Sequence, residues 1–195
     1  MKTLRSLLVV ALCGTGVSQS ALRASSNHQE SVAKPAEAAA LKQFDTAIAK
    51  YMALRTKLAT EVTGPVKDSS AAQVNNASDA LAGGIERARQ GAQQGAIFSP
   101  PVAAMIKRRI ADAVRAGHLE SVLAEIDDEA KTGPVPKVHL RLPVSMQMAT
   151  MPPSLLKVLP ALPKALEYRI LGTYLVIRDV DASLILDYIP AAVPR

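Results

Sequence analysis

The chain has 195 residues, a formal net charge of +6, 3% aromatic residues, one cysteine and no tryptophan. That length suits one modest domain, or a helical part followed by a small second domain. The basic excess is too small to demand a polyanionic partner, and so few aromatics argue against base stacking and aromatic sugar platforms.

Residues 1–20 read MKTLRSLLVVALCGTGVSQS: two cations (Lys2, Arg5), an apolar run over 7–12, then small and polar residues. This order predicts a secretory signal peptide cleaved after Ser20, with Ser18 and Ser20 at the −3 and −1 positions. A lipoprotein signal at Cys13 is the rival reading, but Leu12 stands where a small residue is needed. A retained anchor is disfavoured because Thr15, Ser18, Gln19 and Ser20 cut the apolar run short. The expected location is periplasmic or secreted. The mature chain of about 175 residues, with a charge of about +4, then carries no thiol. It has no disulfide, no thiolate metal site and no cysteine nucleophile.

Residues 21–35 are small, polar and aperiodic, which predicts a flexible leader. A helical region is expected over 36–132. Leu41, Phe44, Ile48, Met52, Leu58 and Val62 recur at helical steps, with Arg55 interrupting the stripe, until Gly64 and Pro65 stop it. A second helix is predicted over 71–94, with Val74, Leu81, Ile85 and Ala88 on one side and weakened by Gly83, Gly84, Gly91 and Gly95. Ser99 and Pro100 mark a third helix start, followed by an apolar stripe of Val102, Met105, Ile106, Ile110 and Val114. Residues 118–130 continue as a short helix with Leu119, Val122, Leu123 and Ile126 inward.

Residues 133–195 change texture. Val138–His139–Leu140–Arg141–Leu142 alternates apolar and polar residues and predicts a strand. Residues 150–163 are proline-rich, an ordered strap around a short turn at 154–158. Three apolar runs follow (166–171, 174–178 and 183–189), separated by a Gly172–Thr173 turn and a turn over 179–182. The expected fold class is therefore α+β: three or four helices, then a small antiparallel β-meander.

The segment 159–190 carries Leu162–Pro163, Glu167–Tyr168–Arg169, Gly172, Asp179 and Asp187–Tyr188–Ile189–Pro190. With that pattern it resembles the C-terminal end of uncharacterised exported bacterial proteins. Its strand–turn–strand part is also similar to the C-terminal sheet of small periplasmic nickel/cobalt homeostasis proteins. The resemblance spans about thirty residues; it implies export from a bacterial cytoplasm and no known reaction.

Candidate chemistry is sparse. His118 and Glu120 have the His-x-Glu spacing of zinc deaminases, but the completing cysteines are absent. With His28 and His139 scattered, no zinc cage is expected. Asp179, Asp181 and Asp187 suggest the opening of a calcium loop, yet Leu184 and Pro190 replace its glycine and glutamate, so a turn capped by carboxylates is preferred. Asp127, Asp128 and Glu129 read as a solvated charge run rather than a cation site. Lys107, Arg108, Arg109 and Arg115 are candidate contacts for phosphate or an anionic lipid head group, against the alternative of a solvated helix face. Glu167, Tyr168 and Arg169 are candidate binding residues; on a strand Glu167 and Arg169 share one face, where a cross-strand ion pair is the alternative.

The leading expectation is an exported, non-catalytic interaction protein of the bacterial envelope. It would hold a protein partner or itself through its apolar helix stripes or an exposed sheet edge. The first alternative is a binder of anionic envelope surfaces through Lys107, Arg108, Arg109 and Arg115; the second is an enzyme of unrecognised type. No cofactor, no metal, no nucleic acid and no membrane span in the mature chain are expected.

Overall fold

The computed structural model describes residues 19–62, 70–116, 134–142 and 151–193, with side chains from residue 34 onward. The chain divides into two compact units, Met1–Pro35 and Ala36–Arg195. The elements are α1 (Gln19–Glu61), α2 (Ala71–Ala88), α3 (Pro100–Arg115), a short α4 (Pro153–Leu156), β1 (Leu166–Leu171), β2 (Tyr174–Asp179) and β3 (Leu184–Ile189). The protein is α+β, as its residue pattern predicts. The short helix expected over 118–130, with His118, Glu120 and the 127–129 acidic run, lies outside the described residues. No described helix is long and apolar enough to cross a membrane.

Residues 21–35, expected as a flexible leader, are helical: α1 begins at Gln19 and carries Pro35 inside it. The segment has three alanines and no glycine, and Pro35 is its one strong helix breaker. From Ala36 onward α1 turns Ala40, Phe44, Ile48 and Tyr51 into the core. Phe44 stacks on Phe98 with ring centroids 6.1 Å apart.

Helix α2 is shorter than its pattern suggests. Ser70 caps it in a reciprocal pair with Gln73, and it ends at Ala88. Gly95, at φ +91°, sits in the non-helical segment that follows. Gly84 is buried against α1: a Cβ there would lie 3.3 Å from the Leu58 side chain. Gly84, one of the glycines that weaken α2 as an isolated helix, thus allows it to approach α1 closely. Helix α3 starts where Ser99 and Pro100 predict, and Val102, Met105, Ile106 and Ile110 are buried. Ser99 makes no capping bond; its hydroxyl donates to Gln43 Oε1 at 3.0 Å, tying α3 to α1.

The strands form one antiparallel sheet in the order β1–β2–β3. The β1–β2 turn is the two-residue Gly172–Thr173 hairpin, with Gly172 at φ +61°. One face, with Leu166, Tyr168, Ile170, Leu175, Ile177, Leu184, Leu186 and Ile189, joins the helices in the main core. The far face carries a smaller cluster of Leu142, Leu171, Val176 and Ile185, flanked by Tyr174 and Tyr188 in edge-to-face contact.

The predicted strand at 138–142 is replaced by an irregular segment with His139 at φ +66°. It still lies along β3: His139 N donates to Ile185 O, Ile185 N to Leu140 O and Leu142 N to Ser183 O. A left-handed residue breaks the ladder, so only the Arg141–Leu184 bridge survives as regular pairing.

Candidate functional site

Two aspartates of the sheet are fully buried, and both reach away from it. Asp179 ends β2. Its Oδ1 accepts from Ala182 N at 2.9 Å, so it caps the turn as expected. Its Oδ2 accepts from the Tyr51 hydroxyl at 2.8 Å and from Arg55 Nε at 2.6 Å. Arg55 Nη2 also pairs with Asp181, which is 67% exposed. Burial pulls the Arg55 guanidinium down, but the bonds to Asp179 and the field of Asp181 outweigh it and leave the cation strengthened. Burial, then the Asp179 carboxylate, pushes the Tyr51 phenol well up, so it stays a neutral donor.

Asp187 occupies a cradle of backbone amides. Its Oδ2 accepts from Ile97 N and Phe98 N, both at 2.7 Å, and its Oδ1 from Gly95 N at 2.9 Å and Tyr188 N at 2.8 Å. The register of β2 and β3 shifts between Ile177 and Arg178, so that Ile177 faces Asp187 while Arg178 faces Ile185. That bulge inserts Leu186 and turns Asp187 onto the helix side, beside Ile177. Nearby, Arg89 donates to Leu186 O at 3.2 Å and places its guanidinium carbon 5.5 Å over the Tyr51 ring. Arg89 Nη1 and His139 Nε2 are buried without a hydrogen-bond partner among the described residues. Burial, then the Arg89 charge, lowers the His139 pKa, with Glu86 opposing.

The cavities formed by the described residues include two that open on the surface. The first holds about 440 Å³ between the end of α1, the start of α2 and the β2–β3 turn. Its walls are Ala59, Val62, Val74, Ala77, Leu81 and Val180, and its polar edge is Arg55, Asn75, Ser78, Asp181 and Ser183. The second, of about 380 Å³, runs along β1 and is lined by Met151, Leu156, Pro160, Ala161, Leu162, Leu166, Glu167, Tyr168 and Arg169.

The three strand residues singled out in the sequence therefore share the second cavity. Tyr168 is buried, and its hydroxyl donates to Pro160 O at 3.1 Å. Glu167 accepts from Arg169 Nη2 at 2.8 Å; Arg178 Nε stands 2.6 Å from its other oxygen, close enough for an ion pair though not aligned as a hydrogen bond.

The basic stretch of α3 does not converge on a site. Arg108 and Arg109 both pair with Glu37, at 3.2 and 2.7 Å. Arg109 also donates to Val158 O at 3.3 Å, and Arg115 pairs with Asp112. Lys107 is half-buried on the same helix. The hydrogen bond from Arg109 holds the Glu37 carboxyl below its usual value, against a smaller opposing effect of burial. Among the described residues no cluster of three or more His, Cys, Asp or Glu could hold a metal ion.

Sequence reasoning overlooked Asp187 as an anchor and Tyr51 as a donor. Arg55 did leave a mark, as a charge inside an apolar stripe. The chain matches no family model, no curated protein and no solved structure to a significant degree.

Proposed function

We infer that this is an exported, non-catalytic interaction protein of the bacterial envelope, receiving a segment of a partner protein in the cleft along β1. Support for export comes from the charge, apolar run and small-residue order of residues 1–20. The carrying observation for the site is the surface that the described residues leave open. The helix stripes that were candidates for partner contact are spent on the core, with Phe44, Ile85, Val102 and Ile106 essentially inaccessible. The outer side of β3 is taken by residues 139–142. β1 lies at the other side of the sheet, and its cleft is flanked by Leu156, an apolar side chain 48% exposed. An extended partner segment bound there gains apolar contact with Leu156, Ala161 and Leu162 and polar contact with Glu167 and Arg169.

The test places a photo-crosslinking amino acid at Leu156 or, as a control, at exposed Lys50. Crosslinking of one envelope protein from Leu156 and not from Lys50 is expected. Equal labelling from both positions overturns the site. N-terminal sequencing of the same purified protein tests export, with a chain beginning at Ala21 as the expected result.

A further inference from the structure

We propose that the 440 Å³ groove at the junction of α1, α2 and the β2–β3 turn is a second binding site, for a small amphipathic amine. This goes beyond partner binding along β1 and does not depend on it. The volume matches about fifteen water molecules at roughly 30 Å³ each, the size of a short alkyl chain with a head group. Its walls are aliphatic, and Val74 is 45% exposed along one of them. Ligand sites combine apolar walls with a few placed polar groups in this way.

The charge balance selects the head group. Arg55 is one guanidinium shared between two carboxylates, Asp179 and Asp181. Asp179 is fully buried and is also satisfied by Tyr51 and by Ala182 N, so it shares the guanidinium's charge inside the fold. Among the described residues the negative charge left without a second cation therefore stands on Asp181, 67% exposed at the groove's edge. Ser78 donates to the Asp181 backbone carbonyl at 2.6 Å and holds that turn against α2. Asp79 and Arg141, beside Ser78, pair with each other and add no net charge. The last turn of α1, which reaches this groove at Ala59, contains no basic residue, so its carbonyl end adds negative potential. An ammonium or another cationic head group is accepted at Asp181, while its alkyl chain lies on Val74, Leu81 and Val180. A carboxylate head group meets the same field as repulsion.

Octylammonium, octanol and octanoate are titrated into the full chain, following backbone amide shifts of residues 74–81 and 180–183 by NMR. Octylammonium is expected to bind tightest, octanol more weakly and octanoate least. Asp181→Asn is expected to weaken octylammonium about two- to fivefold, the range of an exposed ion pair, and to leave octanol unchanged. Val74→Ser, at an exposed wall position, is expected to weaken both. Absence of shifts at these amides, octanoate binding as tightly as octylammonium, or a folded Asp181→Asn variant with unchanged affinity each overturns the proposal. If Asp181→Asn does not fold, the ranking of the three probes on the unaltered chain decides the matter.

Discussion

Arg55 and Asp179 stand 124 positions apart in the chain and 2.6 Å apart in space. The guanidinium comes from the continuation of the α1 stripe, the carboxylate from the last residue of β2. Together with the Tyr51 hydroxyl they join the first packed helix to the sheet at a point without exposure on the acidic side.

Removing one member strands the other. Arg55→Met leaves a buried carboxylate with two neutral donors and is expected to cost about 3 kcal/mol of unfolding free energy, read from urea titration. Arg55→Met combined with Asp179→Asn is expected to cost less than Arg55→Met alone, because no uncompensated buried charge remains.

Asp187 is expected to be at least as sensitive. Asp187→Ala leaves the half-buried Gly95 amide and the buried Ile97 and Phe98 amides without their acceptor, costing about 3 kcal/mol. Hydrogen exchange at Ile97 and Phe98 should accelerate in that variant out of proportion to exchange at Ile106.

These two anchors also mark where the residue pattern stopped being informative. Run lengths and turn residues place all three strands to within a residue, because Gly172–Thr173 and the 179–182 turn leave few other ways to pair them. Alternation puts Glu167 and Arg169 on one face, as found. The same alternation misplaces Asp187: Leu184 and Asp187 are an odd number apart, yet both face the helices through the bulge at Leu186. No local signal announces a bulge set by tertiary contact. Arg55 was visible as an interruption of an apolar stripe, but its partner lies too distant in sequence to be read from spacing. The 138–142 alternation failed for another reason, a left-handed His139 that the apolar–polar pattern does not signal.

His139 yields a pH dependence. Its folded pKa is lowered from the ordinary 6.5 by burial and by Arg89. The unfolded chain therefore takes up the proton first as pH falls. Stability contributed by the neutral ring is present above pH 6.5 and is lost as pH falls through the lowered folded value. His139→Asn, which tolerates a positive φ, is expected to flatten that part of the stability–pH curve measured by thermal unfolding.

Glu37 governs how basic α3 looks from outside. Glu37→Gln releases Arg108 and Arg109 and is expected to increase retention on anionic vesicles, with the gain abolished by added salt. The unaltered chain should be retained less. Strong retention of the unaltered chain, lost with Lys107→Glu and Arg108→Glu, would instead support an anionic-surface role for Lys107, Arg108, Arg109 and Arg115.

Gly172→Ala forces a side chain into the left-handed region at φ +61° and is expected to cost about 1 kcal/mol. Gly172→Asn should cost less, as asparagine visits that region more readily. Chemical denaturation of the two variants side by side separates backbone strain from loss of the hairpin.

The amide cradle around Asp187 has a consequence in time. Its bonds to residues 95–98 close loops of about ninety residues, and those from α1 to Asp179 close loops of more than 120. A growing chain that has not yet reached residues 179–187 has helices and turns but neither of the contacts that lock them. Such wide loop closure slows folding and keeps a nearly finished chain open. Any pathway that must handle this protein before it collapses therefore has until the third strand is made.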